Sequence, residues 1–341
     1  METIFVGLDV SKDETAICVR TSSGAIVSSF KVATDPQAIQ GSLKRWHDTL
    51  NCVVLETGRM TNWLYSELKA RGLPVVCVDA RQAHAVLSQM HNKTDENDAA
   101  LLSELARTGF YREVMVKSRV AQHRRALLKA RQAALKTRIN LENTIRGLLA
   151  SFGVRLPKQI SGYEQRIEAI LVDYPALTSI LLPLMKLRTQ ALSQAAKLSG
   201  EVNRQARADI TCRRLMTIPG VGVISALTFV ATVDAPDRFK KSRSGGAYAG
   251  LTSRRYQSGQ IDIGGRISHR GDTLLRTVLY EAANSLLCRA KSGKGVELQT
   301  WARTLKARTS HKKAVVALAR KLAVLMHAIW KKGTEFETKV A

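Results

Sequence analysis

The chain has 341 residues, with 53 Lys and Arg against 28 Asp and Glu, which gives a formal net charge of +25 and a pI near 10.3. A hydrophobic fraction of 45% excludes a disordered basic tail, and no apolar run reaches the roughly 18 residues of a membrane span. The first ten residues lack the features of a secretory signal and the five cysteines form no C-x-x-C pair, so we expect reduced thiols in the cytoplasm.

The charge is distributed unevenly along the chain. Residues 1–110 contain 11 basic and 13 acidic side chains, whereas residues 111–341 contain 42 basic and 15 acidic ones. A near-neutral N-terminal part, at −2, therefore precedes a remainder at +27. Such a surplus predicts a polyanionic partner for the remainder, and nucleic acid is the commonest one.

Three short strands open the chain, and helices alternate with strands after them. This order predicts a mixed sheet covered by helices, an α/β unit, and it is also the element order of RNase H-like nuclease domains. The predicted strands are 4–10, 15–20, 26–32, 52–55 and 74–78, and the predicted helices are 36–49, 62–71, 81–90 and 95–108.

Two long helical stretches follow the mixed unit. Residues 112–158 have apolar side chains at helical spacing, with 12 basic and only two acidic residues. A second stretch covers residues 164–207, with breaks expected at Pro175 and Pro183. The two predict an antiparallel helical hairpin or a coiled-coil arm. A solvated basic face and a dimerising arm that also binds phosphates both fit this composition.

The sequence predicts a mostly helical structure for the last third of the chain. Residues 218–222 (IPGVG) precede an apolar helix and resemble a helix-hairpin-helix turn, whose backbone N–H groups can hold a phosphate. A plain packing turn fits them equally well. Residues 238–276 are rich in Gly, Ser and Arg, and residues 274–332 are helical and basic.

Two pairs of adjacent basic residues are the candidates for nucleic-acid contacts outside the Gly-rich stretch. Arg124 and Arg125 lie in the first long helical stretch, and Lys312 and Lys313 lie in a part of the tail that contains no acid.

Four carboxylates of the near-neutral part stand out by position. Asp9 and Glu56 each end an apolar strand, and the i,i+3 spacing of Asp95 and Asp98 places both on one face at the start of a helix. Strand ends and a helix start can converge on one edge of a sheet.

Such a group of carboxylates suits divalent metal chemistry. Mg²⁺ prefers oxygen ligands, and two such ions about 4 Å apart can assist displacement at a phosphodiester. Taken singly, Asp95 could cap its helix and Glu56 could be an exposed strand end. Asp9 is harder to explain without a partner, because it follows a largely apolar strand.

Five motifs together resemble one known family, the DEDD transposases of bacterial insertion sequences (the IS one-ten family), over nearly the whole chain and in the expected order. They are residues 7–12 (GLDVSK), 55–58 (LETG), 93–99 (KTDENDA), 218–222 (IPGVG) and 248–259 (YAGLTSRRYQSG).

The resemblance implies an architecture and a site. It implies a RuvC-like, RNase H-type domain over residues 1–110, a coiled-coil arm over 111–210 and a C-terminal transposase domain over 211–341. It further implies that Asp9, Glu56, Asp95 and Asp98 are catalytic ligands of Mg²⁺, with two ions per site. Ser258 would be the catalytic nucleophile that forms a covalent link to DNA.

The resemblance also implies partners. These are double-stranded donor and target DNA and a structured non-coding RNA, called a bridge RNA, that pairs with both. The location would be the bacterial cytoplasm, in association with the nucleoid. Joining two duplexes with one Ser258 per protomer suggests a homo-oligomer, from dimer to tetramer. Because the family also includes a DNA invertase, inversion stays open beside insertion and excision.

The residues around Ser258 allow more than one interpretation. A serine in a Gly- and Arg-rich stretch is most often an ordinary loop residue, and its hydroxyl needs a base or a metal to become a nucleophile. Arg254 and Arg255 suit stabilisation of a pentacoordinate phosphate through bidentate contacts. They suit non-specific phosphate binding as well.

Three rival functions remain open from the residues alone. Tyr256, with Arg255, His269 and Arg270, could form the site of a tyrosine recombinase, although the four acids would then have no role. The acids could instead serve a junction-resolving nuclease without a covalent intermediate. A non-enzymatic nucleic-acid scaffold would leave the acids unexplained.

Overall fold

The structure is a computed structural model that describes residues 2–81, 94–157, 161–288, 293 and 295–337. The chain forms two compact units, Met1–Lys117 and Ser118–Ala341. Each unit is built around hydrophobic clusters of its own.

The first unit is a mixed α/β structure, as the alternation of strands and helices predicts. Its elements are β1 (Ile4–Val10), β2 (Glu14–Thr21), β3 (Ile26–Ala33), α1 (Pro36–Leu43), β4 (Leu50–Glu56), α2 (Thr61–Ala70), β5 (Val75–Val78) and α3 (Asp95–Thr108). The helix expected over residues 36–49 ends at Leu43 and continues as a 3₁₀ turn, Lys44–Thr49. The helix expected over residues 81–90 lies, apart from Arg81, outside the described residues.

A five-stranded sheet in the order β3-β2-β1-β4-β5 forms the centre of this unit. β1 pairs antiparallel with β2, and β2 with β3, whereas β4 runs parallel to both β1 and β5. Because side chains alternate along a strand, Val6 and Leu8 of β1 point to one face, where they join the cluster of α1 and α2. The opposite face is covered by α3.

The second unit is helical except for one pair of strands. Its elements are α4 (Arg119–Ser151), α5 (Tyr163–Asp173), α6 (Thr178–Ala208), α7 (Ile210–Met216), α8 (Val223–Val233), α9 (Arg243–Tyr248), β6 (Ser253–Ser258), β7 (Ile261–Ile267), α10 (Thr273–Cys288), α11 (Val296–Arg308) and α12 (His311–Lys332). The expected helical C-terminal region is confirmed. Of the helices in the described ranges, none is long and apolar enough to cross a membrane.

The two longest helices, α4 and α6, pack antiparallel as the predicted hairpin. Leu128 of α4 shares a cluster with Val202 of α6, while Ile145, later in α4, lies with Leu181, early in α6. The first helix is shorter than expected, because residues 112–118 are not helical and it ends at Ser151.

The break expected at Pro183 is wrong. The residue lies inside α6, which continues through it. A proline in this position removes one backbone hydrogen bond, but its neighbours Leu181 and Met185 are buried in the cluster at this end of the hairpin. Their burial holds the turn in place.

One element of the second unit was not predicted at all. Residues 253–267, part of the Gly-, Ser- and Arg-rich stretch, form a β-hairpin in which β6 and β7 pair antiparallel. Every residue of both strands is exposed except Ile267, which is half-buried. The hairpin therefore has no buried face that would give it a hydrophobic alternation in the sequence.

Candidate functional site

Asp9 and Glu56 lie at the same edge of the first unit's sheet. Register pairs Leu8 of β1 with Leu55 of the parallel strand β4, so the two carboxylates follow at the carboxyl ends of neighbouring strands. Leu8 and Leu55 face the cluster of α1 and α2, so by alternation Asp9 and Glu56 belong to the face that α3 covers. Both carboxylate residues are half-buried.

The start of α3 lies over this same edge and face. Gly7 contacts the helix so closely that a Cβ built on it would stand 2.1 Å from the backbone oxygen of Ala99 and 2.3 Å from the backbone nitrogen of Ser103. Asp95 and Asp98 precede Ala99 in the first turn of α3, which Thr94 caps by accepting a hydrogen bond from the backbone of Asn97. Close approach at Gly7 therefore positions these two acids.

Arg20 holds the same part of this helix. Its guanidinium donates to the hydroxyl of Ser103 at 3.1 Å and to the carbonyl of Ala100 at 3.4 Å, and it lies 3.5 Å from the carboxylate of Glu104. Contacts from Gly7 and Arg20 thus both hold the middle of α3, residues 99–104, against the sheet.

Lys31 is the cation nearest to the start of α3 in the described contacts. Lys31 of β3 is the cross-strand partner of Ala16 in β2, which in turn is the partner of Asp9 in β1. The Nζ atom of Lys31 is 3.0 Å from Asp95 Oδ2 and 3.2 Å from Glu96 Oε1. The hydrogen bond with Asp95 raises the pKa of Lys31. The pKa of Glu96 is lowered first by its own backbone N–H and next by Lys31.

Asp9 and Glu56 share one edge of the sheet, Asp95 and Asp98 lie in the first turn of the helix on that face, and the four do not form a closed metal cluster. Among the described residues, no three His, Cys, Asp or Glu side chains are grouped so that they could hold a metal ion. Their chemistry nevertheless suits a hard cation, since all four offer carboxylate oxygens. Metal binding by Asp9, Glu56, Asp95 and Asp98 stays a prediction.

Ser258 is the last residue of β6, at the tip of the hairpin. It pairs with Ile261 across a two-residue turn, in which Gly259 has a φ of +54°. Ser258 and its cross-strand partner are both exposed. Tyr256 and Ile263 form the next pair on this face of the ribbon, and both are exposed too.

Arg255 lies on the opposite face of the ribbon, where it forms a bidentate pair with Asp262. The two N–H···O distances are 2.7 and 2.6 Å, and this contact lowers the pKa of Asp262. Arg254 instead donates to the carbonyl of Ser268 at 3.4 Å. A phosphate that bound Arg255 would have to compete with the Asp262 carboxylate.

Of the three residues proposed as helpers of Tyr256, Arg255 is its neighbour in the chain on the opposite face of the ribbon, while His269 and Arg270 are separated from it along the hairpin. Tyr256 lies near the tip, paired with Ile263, whereas His269 and Arg270 follow the end of β7 at the root. In the described part of the chain, no hydrogen bond joins the hydroxyl of Tyr256 to either of them, and the φ of His269 is +53°.

The two pairs of basic residues named from the sequence differ in their surroundings. Arg124 forms an ion pair with Asp209 at 2.8 Å, and Arg125 forms one with Asp272 at 2.6 Å. These arginines are about one-fifth exposed and join α4 to other helices of the unit. Their assignment to nucleic acid remains a prediction, and each would have to leave its aspartate.

Lys312 and Lys313 are fully at the surface, in the first turn of α12. The backbone N–H of Lys313 donates to the hydroxyl of Ser310, which caps the helix. Neither lysine forms a salt bridge with any acid in the described part of the chain. Both side chains therefore present free charge to solvent.

Sequence reasoning missed two contributors to these sites. Gly7 lies within an apolar strand, and a glycine in that position is itself a signal of close backbone approach. Asp262 follows the turn that ends β6 and lies among exposed residues, so its pairing with Arg255 depended on the hairpin register, which was not predicted.

The known families and proteins that this chain resembles are described as transposases. A family model described as transposase of the IS116/IS110/IS902 family matches residues 212–297, and a DEDD model described as transposase matches residues 6–153. The transposase for insertion sequence element IS1111A of Coxiella burnetii is 31% identical, over 95% of this chain and 88% of that protein.

Two further relatives carry similar names. A putative transposase of Sinorhizobium fredii, y4pF/y4sB, is 32% identical over 72% of this chain and 64% of its own length. A probable family 20 transposase of Pseudomonas aeruginosa is 30% identical over 71% of this chain and 73% of its own length.

Proposed function

Because the chain belongs to the IS116/IS110/IS902 family of transposases, which are DNA-modifying enzymes, we propose that it cuts and rejoins DNA through a covalent link to Ser258. The observation that carries this proposal is the place of Ser258 at the exposed tip of a hairpin, next to a two-residue turn. A hydroxyl there can approach the phosphate of a duplex without obstruction from its own fold.

The covalent step is a transesterification. The Ser258 oxygen attacks the phosphorus, the phosphoserine bond forms, and the bond to the leaving strand oxygen breaks. The hydroxyl proton goes to a base, and the leaving oxygen takes up a proton. Attack by the hydroxyl of a second strand then reverses the exchange and releases Ser258, so the number of phosphodiester bonds is conserved.

Arg254 and Arg255 are proposed to stabilise the negative charge that develops on the phosphate. Arg254 lies on the same face of the ribbon as Ser258 by alternation, and its bond to the Ser268 carbonyl is long. Arg255 would act after exchanging Asp262 for a phosphate, which offers the same bidentate geometry.

Asp9, Glu56, Asp95 and Asp98 are the proposed ligands of divalent metal, with Mg²⁺ as the ion and two ions per site. Such ions, when bound, lower the pKa of an attacking hydroxyl and neutralise charge on the phosphate. The support is the position of Asp9 and Glu56 at the carboxyl ends of neighbouring strands, on the face that α3 covers with Asp95 and Asp98 in its first turn. Lys31 now neutralises Asp95, so metal binding would compete with this ion pair.

At the level of the fold, we propose an RNase H-like (RuvC-like) domain over residues 1–110, a coiled-coil arm over 111–210 and a transposase domain over 211–341. The first proposal is supported by the strand order, with three antiparallel strands followed by two parallel ones. The second is supported by the antiparallel packing of α4 and α6.

The proposed partners are double-stranded donor and target DNA, a structured non-coding RNA and further copies of the chain. Aromatic residues are only 5% of the sequence, which disfavours RNA recognition by rows of stacked bases. Charge and A-form shape would hold the RNA, while base pairing selects the sequence, a division of labour that guided nucleases also use.

Trapping of the covalent adduct tests this function. Full-length protein would be incubated with RNA transcribed from the DNA that flanks its coding sequence and with a nicked duplex of the same flanking DNA, and adducts would be resolved on a denaturing gel. We expect Ser258→Ala to abolish the adduct, while Ser253→Ala and Tyr256→Phe retain it. An adduct that survives Ser258→Ala would refute the serine mechanism. Cutting by Ser258→Ala at the wild-type rate, without adduct in either protein, would favour the nuclease.

A second set of variants tests the metal site. Asp9→Asn and Asp98→Asn should abolish cutting at every Mg²⁺ concentration, and isothermal titration with Mg²⁺ should show weaker binding. Asp48→Asn is a matched control, because Asp48 is a highly exposed acid of the same unit that contacts only His47 in the described structure. Unchanged cutting by Asp9→Asn would refute the assignment.

A further inference from the structure

The root of the hairpin is a contact between two glycines and two opposing backbones. A Cβ on Gly250, whose φ is +71°, would lie 2.2 Å from the carbonyl oxygen of Arg270. A Cβ on Gly271, whose φ is +126°, would lie 2.1 Å from the carbonyl oxygen of Tyr248. The hairpin has two legs, the segment that leads into β6 and the segment that leaves β7. Each glycine allows the backbone of the opposite leg to approach closely, and only glycine fits both the conformation and the space.

Arg276, in the first turn of α10, contacts the chain on both sides of the hairpin at this root. Its Nη1 lies 3.3 Å from the carbonyl oxygen of Ala249 and 3.3 Å from that of His269. Its Nη2 donates to the hydroxyl of Thr273 on the same helix. One guanidinium therefore bridges the residue before Gly250 and a residue just before Gly271.

The start of α10 is itself fixed to the helical body. Asp272 caps it by accepting from the backbone N–H of Leu275 at 2.8 Å, and its second oxygen accepts from Arg125 of α4 at 2.6 Å. Arg125 also donates to the hydroxyl of Thr232 in α8 at 3.1 Å. Arg276 thus projects from a helix end that is anchored on two sides.

The strands beyond the root have little else to hold their direction. All residues of β6 and β7 are exposed except the half-buried Ile267, so packing against the body contributes almost nothing there. A two-stranded ribbon alone is only marginally stable in water. The orientation of the tip, and of Ser258, is consequently set where the legs meet α10.

We propose that Arg276 is a positioning residue for strand transfer: it clamps both legs of the hairpin on α10 and so presents Ser258 in one orientation. The inference rests on the proposed role of Ser258. In this proposal Arg276 does not contact DNA, and its role is to fix the position of the Ser258 hydroxyl. A misplacement of about 1 Å can cost about a hundredfold in rate.

The test combines a distance measurement with kinetics on the full-length protein. Nitroxide labels would be placed on Cys288, the one exposed native thiol among the five and the last residue of α10, and on Gln260→Cys at the turn. Pulsed dipolar spectroscopy should give a narrow distance distribution with Arg276 intact and a broad one in Arg276→Gln. Thr277→Ala is the control, since Thr277 is exposed and bonds only to its own helix.

Rates of adduct formation separate positioning from charge. Without labels, Arg276→Gln should lower the single-turnover rate by about a hundredfold with unchanged DNA affinity and thermal midpoint. Arg276→Lys keeps the charge but cannot reproduce the planar fork, so it should restore less than half of the lost rate on a logarithmic scale. Full rescue by lysine, or weaker DNA binding that accounts for the loss, would overturn the proposal.

The two measurements also distinguish the proposed role of Arg276 from the proposed role of Ser258, on which it rests. An adduct formed by Ser258→Ala would refute the serine mechanism and with it the catalytic meaning of the clamp. An unchanged distance distribution in Arg276→Gln, with Ser258 still essential, would refute the clamp alone.

Discussion

Gly7→Ala is the most informative single change in the first unit, because it adds one methyl group where the sheet and α3 touch. The new Cβ would lie 2.1 Å from the Ala99 oxygen, 2.3 Å from the Ser103 nitrogen and 2.8 Å from the Leu102 carbonyl carbon. All three are backbone atoms of a helix and cannot rotate away. To reach an ordinary contact of 3.4 Å, α3 would have to retreat by about 1.3 Å.

This retreat has a cost in stability and a separate cost in activity. Overpacking of this kind costs about 1–3 kcal/mol in unfolding free energy, and the upper end applies because the obstruction is backbone. Since Asp95 and Asp98 lie on the displaced helix, they would also move relative to Asp9 and Glu56. A shift of about 1 Å at a reacting centre can cost about a hundredfold in rate.

Hydrogen exchange and cutting assays would measure the two effects. We expect faster amide exchange in α3 of Gly7→Ala, and a loss of Mg²⁺-dependent cutting at unchanged affinity for DNA. Gly41→Ala is the matched control, because Gly41 lies in α1 with nothing within 4 Å of its added Cβ, and alanine there should stabilise by about 0.5–1 kcal/mol. Wild-type exchange in α3 together with wild-type cutting would show that the close approach at Gly7 does not position the acids.

Three further predictions concern the surface and the helical unit. The double variant Lys312→Ala, Lys313→Ala should reduce the slope of log K against log salt for DNA binding by about 2, and an unchanged slope would remove both lysines from the interface. Iodoacetamide at pH 8 should modify Cys288 alone, as read by mass spectrometry, because the other four thiols are buried and burial raises the pKa of three of them; early labelling of a second cysteine would contradict this. Arg188→Ala should cost about 3 kcal/mol in urea unfolding, since Arg188 is 8% exposed and bridges two glutamates, whereas Arg204→Ala, in an exposed pair, should leave the midpoint unchanged.

The first unit was largely predictable because its signals are local. The strands β1 and β4 were predicted from apolar runs with clear ends. Because parallel strands bring their carboxyl ends to one edge of a sheet, the closeness of Asp9 and Glu56 follows from the strand order. The start of α3 was predicted from the acids of residues 95–98, although the residue that caps the helix is Thr94 and not Asp95. What the sequence could not supply is how deeply α3 sits on the sheet, since Gly7 and Ala99 are far apart in the chain.

The hairpin around Ser258 escaped prediction for a physical reason. Strand prediction relies on an apolar face turned to a core, and β6 has none, because it alternates Arg254, Tyr256 and Ser258 with polar residues and exposes all of them. Its form is set by features at its ends, namely the turn at Gly259 and the paired glycines at its root. The pairing of Arg255 with Asp262 could not be foreseen without that register.

Basic residues of the second unit fall into two physical classes, and their place in the sequence does not tell them apart. Arginines that are partly buried, such as Arg124 and Arg125, hold helices together through aspartates at 2.8 and 2.6 Å, because the planar guanidinium suits such desolvated pairs. Lysines on the surface, such as Lys312 and Lys313, keep their hydration and their free charge. Since counterion release depends on charge that reaches a phosphate, the number of Lys and Arg residues overstates the binding surface by every arginine used internally. The exposed lysines of α12 are therefore stronger candidates for the DNA contact than the paired arginines of α4.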